Sequence, residues 1–230
     1  MSIRLGIPAT MTNILTAGFV GSTVALLFHG SGIVMVLCHV TDFIRDMVRT
    51  TPSFGSWDGR GYGFMFGCLF CYGSKVGWYH SIFLPIILIE MERGEGSIWG
   101  TIDECALVLV SAGICAANML LSKDAITRRG LKINLLCGDF IEVAYPYMER
   151  SATVNISAYL ASGIATEILY SSDPTQVMSS AYFPFPISIF LAQDCFRISL
   201  AMLSAFVVSF MGMLLSILIV PGISTYRKQD

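Results

Sequence analysis

The sequence predicts an all-α polytopic membrane protein, with roughly five to seven spanning or re-entrant helical segments joined by broken, proline-containing loops. Three observations lead there. Hydrophobic residues make up 54% of the 230-residue chain and charged residues only 13%, against about 25% charged in a typical soluble domain. Apolar runs recur at about 20 residues, the length that crosses a bilayer core. The polar connections between them are too short to fold separately, so residues 1–230 read as one integral membrane domain. Within it we distinguish an N-terminal region (residues 1–60), a main region (residues 61–222) and a tail (residues 223–230).

The first apolar stretch runs from about residue 9 to 28, meets His-Gly-Ser-Gly at 29–32 and resumes through 40. Gly30 and Gly32 permit a break, leaving either one long span or a span plus a half-helix. Arg45, Arg49 and Arg60 lie in a connection whose Pro, Ser, Gly and Asp content marks a loop. The chain is apolar again from 62 to 91. Gly59, Gly63 and Gly67 recur there four apart, as do Gly73 and Gly77, a spacing that lets helices approach closely in lipid. Pro85 is expected to kink or end this helix. A further span at 98–121 begins with Asp103 and Glu104, residues that favour a helix N-terminus through its dipole.

Lys123, Arg128, Arg129 and Lys132 concentrate positive charge in the following loop, 122–132, which places it in the cytoplasm. Spans at 152–170 and 198–220 follow, and the tail adds Arg227 and Lys228. If both basic segments are cytoplasmic, an even number of crossings separates them. The two spans satisfy this when 133–148 and 181–194 each dip into the membrane and return. Pro174, Pro184 and Pro186 rule out one regular helix over the second break. Paired re-entrant loops meeting near the midplane are how many transporters build a substrate site. Irregular backbone at that depth needs protein or a water-filled cavity around it.

A carboxylate at membrane depth is expensive unless paired, hydrated or protonated, which makes it a functional candidate. Glu142 and Asp139 are therefore candidate substrate-binding residues. An interfacial alternative stays open, with Asp139 solvated and Glu142 capping a helix. Pro146 lacks an amide proton and leaves an upstream carbonyl available to a polar ligand. Tyr145 and Tyr147 offer hydroxyls and flat faces, or serve as interfacial anchors. Asn134 completes the substrate-binding set, with a side chain able to hydrogen-bond across helices.

His29, His39 and His80 are far apart in sequence, and no His, Cys and carboxylate set has metal-ligand spacing. A phosphate-binding Gly-x-x-x-x-Gly-Lys loop is lacking too. No metal, cofactor or catalytic residue is expected. The seven cysteines are scattered through apolar runs and form no disulfide framework; Cys68 and Cys71 read as packing residues. The N-terminus shows no removable signal peptide.

The segment Gly-Asp-Phe-Ile-Glu-Val-Ala-Tyr-Pro-Tyr from Gly138, with the small-residue span after it, resembles a known family. It is similar to the membrane component of a bacterial sugar phosphotransferase system of the fructose type. That family carries a Phe-Ile-Thr-Glu-Gly-Ala-Ile-Pro-Phe-like segment. Its Glu-x-Ala-x-Pro-aromatic core is matched by Glu142, Ala144, Pro146 and Tyr147. The similarity covers about residues 80–222. The family's Pro-His-Gly-Gly-like element has no histidine counterpart near 179–188. The resemblance implies that Glu142 binds a substrate hydroxyl in a re-entrant loop. It also implies that a separate cytoplasmic phosphocarrier subunit holds the phosphoryl group on its own Cys or His while this chain presents the sugar.

The expected function is uptake of a small polar solute, a sugar or sugar derivative, through the bacterial inner (cytoplasmic) membrane. Loop 122–132 and the C-terminus would face the cytoplasm. The expected partners are the solute, the lipid bilayer, phosphocarrier subunits and further copies of the chain in a homo-oligomer. The formal charge of −2 with no basic block excludes nucleic acid. Two other classes stay open: a structural or assembly subunit of a larger membrane complex, and an ion-coupled carrier using Glu142 and Asp139.

Overall fold

Small residues decide where the helices of this chain meet, because a missing side chain lets two backbones close. The computed structural model describes residues 9–36, 38–39, 42–43, 61–92, 98–121, 125–138, 141–171, 179 and 182–219. It divides into two compact units, Met1–Thr51 and Pro52–Asp230. The regular elements are helical throughout, with no strand among the described residues.

In the first unit α1 (Ala9–Gly30) ends where the His-Gly-Ser-Gly turn was expected. Gly32 takes φ 71°, a left-handed conformation open to glycine, and the chain is helical again over 33–36. From Phe19 to Phe28 the large apolar side chains of α1 are exposed.

The second unit holds α2 (Tyr62–Val76) and α3 (Trp78–Glu92). The apolar stretch 62–91 is thus two helices, and the break falls at Gly77 rather than at Pro85. Gly77 sits at φ 104° with its N–H bonded to the Gly73 carbonyl at 2.8 Å, a left-handed cap that ends α2. Pro85 lies inside α3. At 15 residues each, α2 and α3 fall short of the about 20 that span a bilayer core.

Helix α4 runs through Ile98–Ile102, a π-helical turn at Asp103–Val108 and Leu109–Leu121. After it come α5 (Ala125–Cys137), a 3-10 turn at Ile141–Ala144, and α6 (Tyr145–Arg150). Then follow α7 (Ala152–Tyr170), α8 (Phe185–Leu191) and α9 (Cys195–Ile219). Among the described residues two helices, Ile98–Leu120 and Cys195–Ile219, are long and apolar enough to cross a membrane.

Packing follows the small residues. Helix α7 lies between α2 and α9, α9 also packs on α4, and α4 carries α5. A Cβ at Gly63 would come within 2.8 Å of the Glu167 Cα, and one at Gly67 would collide with the Ser162 carbonyl. The glycine interval at 63 and 67 therefore does form a close helix seam; Gly59 lies outside the described residues. Ser162 Oγ closes the seam by donating to the Gly67 carbonyl at 2.7 Å. Gly113 and Gly212 likewise admit the Ser209 and Ser157 hydroxyls.

Glu167 has an unexpected role. Its carboxylate accepts the Gly61 N–H at 3.0 Å and the Phe64 N–H at 2.9 Å, capping the open N-terminus of α2 from another helix. Glu167→Ala is expected to destabilise the second unit by about 1–2 kcal/mol. A lower thermal midpoint in detergent would show the loss, and an unchanged midpoint would rule the cap out as a stabilising contact.

Candidate functional site

Helix α4 is apolar apart from a few polar residues, and two of those are adjacent acids. Asp103 is 5% exposed and Glu104 is fully buried. Both were expected to open the helix, favoured there by its dipole. The structure instead places a full helical turn, Ile98–Ile102, ahead of them and buries that turn as well. At Asp103 the helix widens into its π turn, a distortion frequent at functional sites.

Both interrupted stretches of the chain arrive at this point. Gly138, at φ 61°, closes the end of α5. A Cβ there would stand 2.5 Å from Glu104 Oε2 and would collide with the Phe183 carbonyl. Phe183 follows Tyr182, a non-glycine residue held at φ 62°. The segments 133–148 and 181–194 thus touch each other against Glu104, and only a glycine fits between them. Ser179 ties the second segment to α4, its N–H donating to Thr101 Oγ1 at 2.8 Å and its hydroxyl to the Ser188 carbonyl at 2.8 Å. Tyr79 on α3 is 4% exposed. Its buried hydroxyl faces Asp103 and Tyr182.

A second, more open level lies around the Gly77 turn. Glu142 Oε1 is 3.4 Å from His80 Nε2, the two side chains 48% and 45% exposed. The Tyr145 and Ser74 hydroxyls share a hydrogen bond of 2.6 Å. Lys75 Nζ donates to Asn155 Oδ1 at 3.3 Å. The Tyr72 ring meets Trp78 and Tyr159 edge to face at 5.8 and 6.3 Å. Tyr145 is within electrostatic reach of both Glu142 and Asp103, so the two levels belong to one neighbourhood. Carboxylate, imidazole, ammonium, amide, hydroxyl and aromatic faces are the groups that recognise a polyhydroxylated solute.

The sequence candidates divide between this neighbourhood and the framework. Glu142 and Tyr145 stand in the open level. Tyr147 is 1% exposed, and its hydroxyl meets Asn118 Nδ2 and Thr127 Oγ1, each at 3.0 Å. It joins α4, α5 and α6. Asn134 is buried and donates to Ser111 Oγ at 2.9 Å, holding α5 on α4. Pro146 sits in the first turn of α6, where a missing N–H is harmless, so it starts a helix instead of breaking one. Asp139 lies outside the described residues.

Sequence reasoning read Asp103 and Glu104 only as a helix start, counted His80 only as one of three histidines far apart in the chain, and passed over Ser74 and Tyr79. The usable signal was two acids within an apolar run long enough to bury them. No group of three or more His, Cys, Asp or Glu residues suited to a metal occurs among the described residues. No family model, curated protein or solved structure matches the chain.

Proposed function

We propose that the chain is the membrane component of an uptake system for a small polar solute, a sugar or sugar derivative. The solute is received at Glu142, His80 and Tyr145 and passes toward Asp103 and Glu104. One observation carries this reading: two broken segments, 133–148 and 181–194, close on each other against a buried carboxylate in a π turn. Buried acids in a membrane helix mark substrate or ion pathways. Broken segments meeting inside a bundle are the usual construction of a transporter site. The likeness of Glu142, Ala144, Pro146 and Tyr147 to the fructose-type phosphotransferase segment supports a sugar as the solute. It also supports a phosphocarrier subunit as partner.

In this reading further segments cross or enter the bilayer beside Ile98–Leu120 and Cys195–Ile219, giving a polytopic protein of the bacterial inner membrane with the basic segment 122–132, which is helical from Ala125 onward rather than the loop its sequence suggested, in the cytoplasm. The test is a thermal-shift screen of the purified full chain against neutral, amino and acidic sugars, followed by uptake in cells. Glu142→Gln is expected to reduce uptake of the stabilising sugar about tenfold or more, with insertion intact. Unchanged uptake would remove Glu142 from the site.

A further inference from the structure

Helix α5 separates its faces sharply. Thr127, Gly130 and Asn134 are buried on α4 and the 3-10 turn, with Thr127 accepting from Asn118 at 2.9 Å and Asn134 donating to Ser111. On the opposite face Arg128, Arg129 and Lys132 are exposed and, with Ala125, line an open cavity of about 480 Å³. None of the three forms an ion pair with another described residue. Arg128 and Lys132 are four residues apart, and Arg129 and Lys132 three. Like charges at those spacings repel on a helix. Three cations around one cavity, without an acid of the described residues paired to them, suit an anionic ligand.

The rest of the face says where that anion comes from. Leu136, 65% exposed, shares the cationic side of the helix, and Ile126, 50% exposed, flanks it. The helix follows closely in sequence on the end of Ile98–Leu120, a helix long and apolar enough to cross a membrane. Cations mixed with exposed apolar side chains at the end of such a helix belong at the headgroup level of a bilayer. Clusters of this kind select anionic lipids. We infer that Arg128, Arg129 and Lys132 form a binding site for the phosphate of an anionic phospholipid headgroup. The ligand chemistry is a phosphate oxyanion with guanidinium and ammonium donors, and the lipid is its source. The site requires a membrane location and is independent of the solute reading.

The full chain, purified in neutral detergent, should retain dioleoylphosphatidylglycerol over dioleoylphosphatidylcholine by about a hundredfold in native mass spectrometry, about fivefold for each cation. The triple variant Arg128→Gln, Arg129→Gln, Lys132→Gln should bind both lipids alike. Arg129→Gln alone should lower the preference about fivefold, which keeps the test valid if the triple variant does not fold. Arg150→Gln, an exposed cation on α6, should keep the full preference. Equal binding by the wild type, or a preference that survives the triple change, overturns the site. Displacement of the lipid by millimolar inorganic phosphate shows a free-phosphate site and overturns the lipid assignment.

Discussion

Glu104→Gln is expected to reduce solute uptake about a hundredfold or more while leaving the melting temperature at or above that of the wild type. Glutamine keeps the shape of glutamate and removes the charge. Glu104 is fully buried at the contact of Gly138 and Phe183, so an ionised carboxylate there carries a far larger desolvation penalty than a neutral amide. Loss of uptake with retained or raised stability identifies a residue kept for function. Loss of both would show that Glu104 serves to hold the two broken segments together. Asp103→Asn, with Asp103 5% exposed and facing the Tyr79 hydroxyl, is expected to behave in the same direction.

The largest stability effect should come from the seam between α2 and α7. Gly67→Leu puts a side chain where even a Cβ collides with the Ser162 carbonyl and stands 2.5 Å from Thr166 Oγ1. Backbone atoms cannot yield as the tip of a side chain can, so the helices must part, and the Ser162 hydrogen bond to Gly67 is lost with them. The expected destabilisation is about 3 kcal/mol or more, seen as aggregation or a collapsed thermal midpoint. Gly73→Ala is the matching control. Its Cβ would find Trp78 at 3.6 Å, ordinary contact. Replacing glycine within a helix gains about 0.5–1 kcal/mol. If Gly67→Leu melts like wild type, the close approach does not stabilise the unit.

Helix positions were readable because hydrophobic runs, glycines and prolines act locally. The turn after α1, the long helix α4 and the final helix α9 follow from apolar length and breakers alone. The split at Gly77 was harder. Pro85 looks like the stronger breaker by its missing N–H, but its place in a helix depends on what packs around it, whereas a left-handed glycine ends α2 outright. The site was half legible. Glu142 and Tyr145 stand out as polar residues in an interrupted segment, and they do come together with α2 and α3. Glu104 is buried where Gly138 meets Phe183, residues tens of positions away. No local pattern announces a contact at that separation. Tyr147 and Asn134 show the same limit: a sequence displays a hydroxyl or an amide, never the Thr127 or Ser111 that engages it.

Equilibrium exchange of a labelled sugar across reconstituted vesicles tests the transport claim most directly, because exchange needs no energy source and no phosphocarrier subunit. The sugar that stabilises the purified chain should exchange saturably with the wild type and not with Glu104→Gln, both proteins being folded and inserted. Absence of binding and exchange for every sugar tried with a folded wild-type chain, or equal exchange by Glu104→Gln, would contradict a solute path at the buried acids.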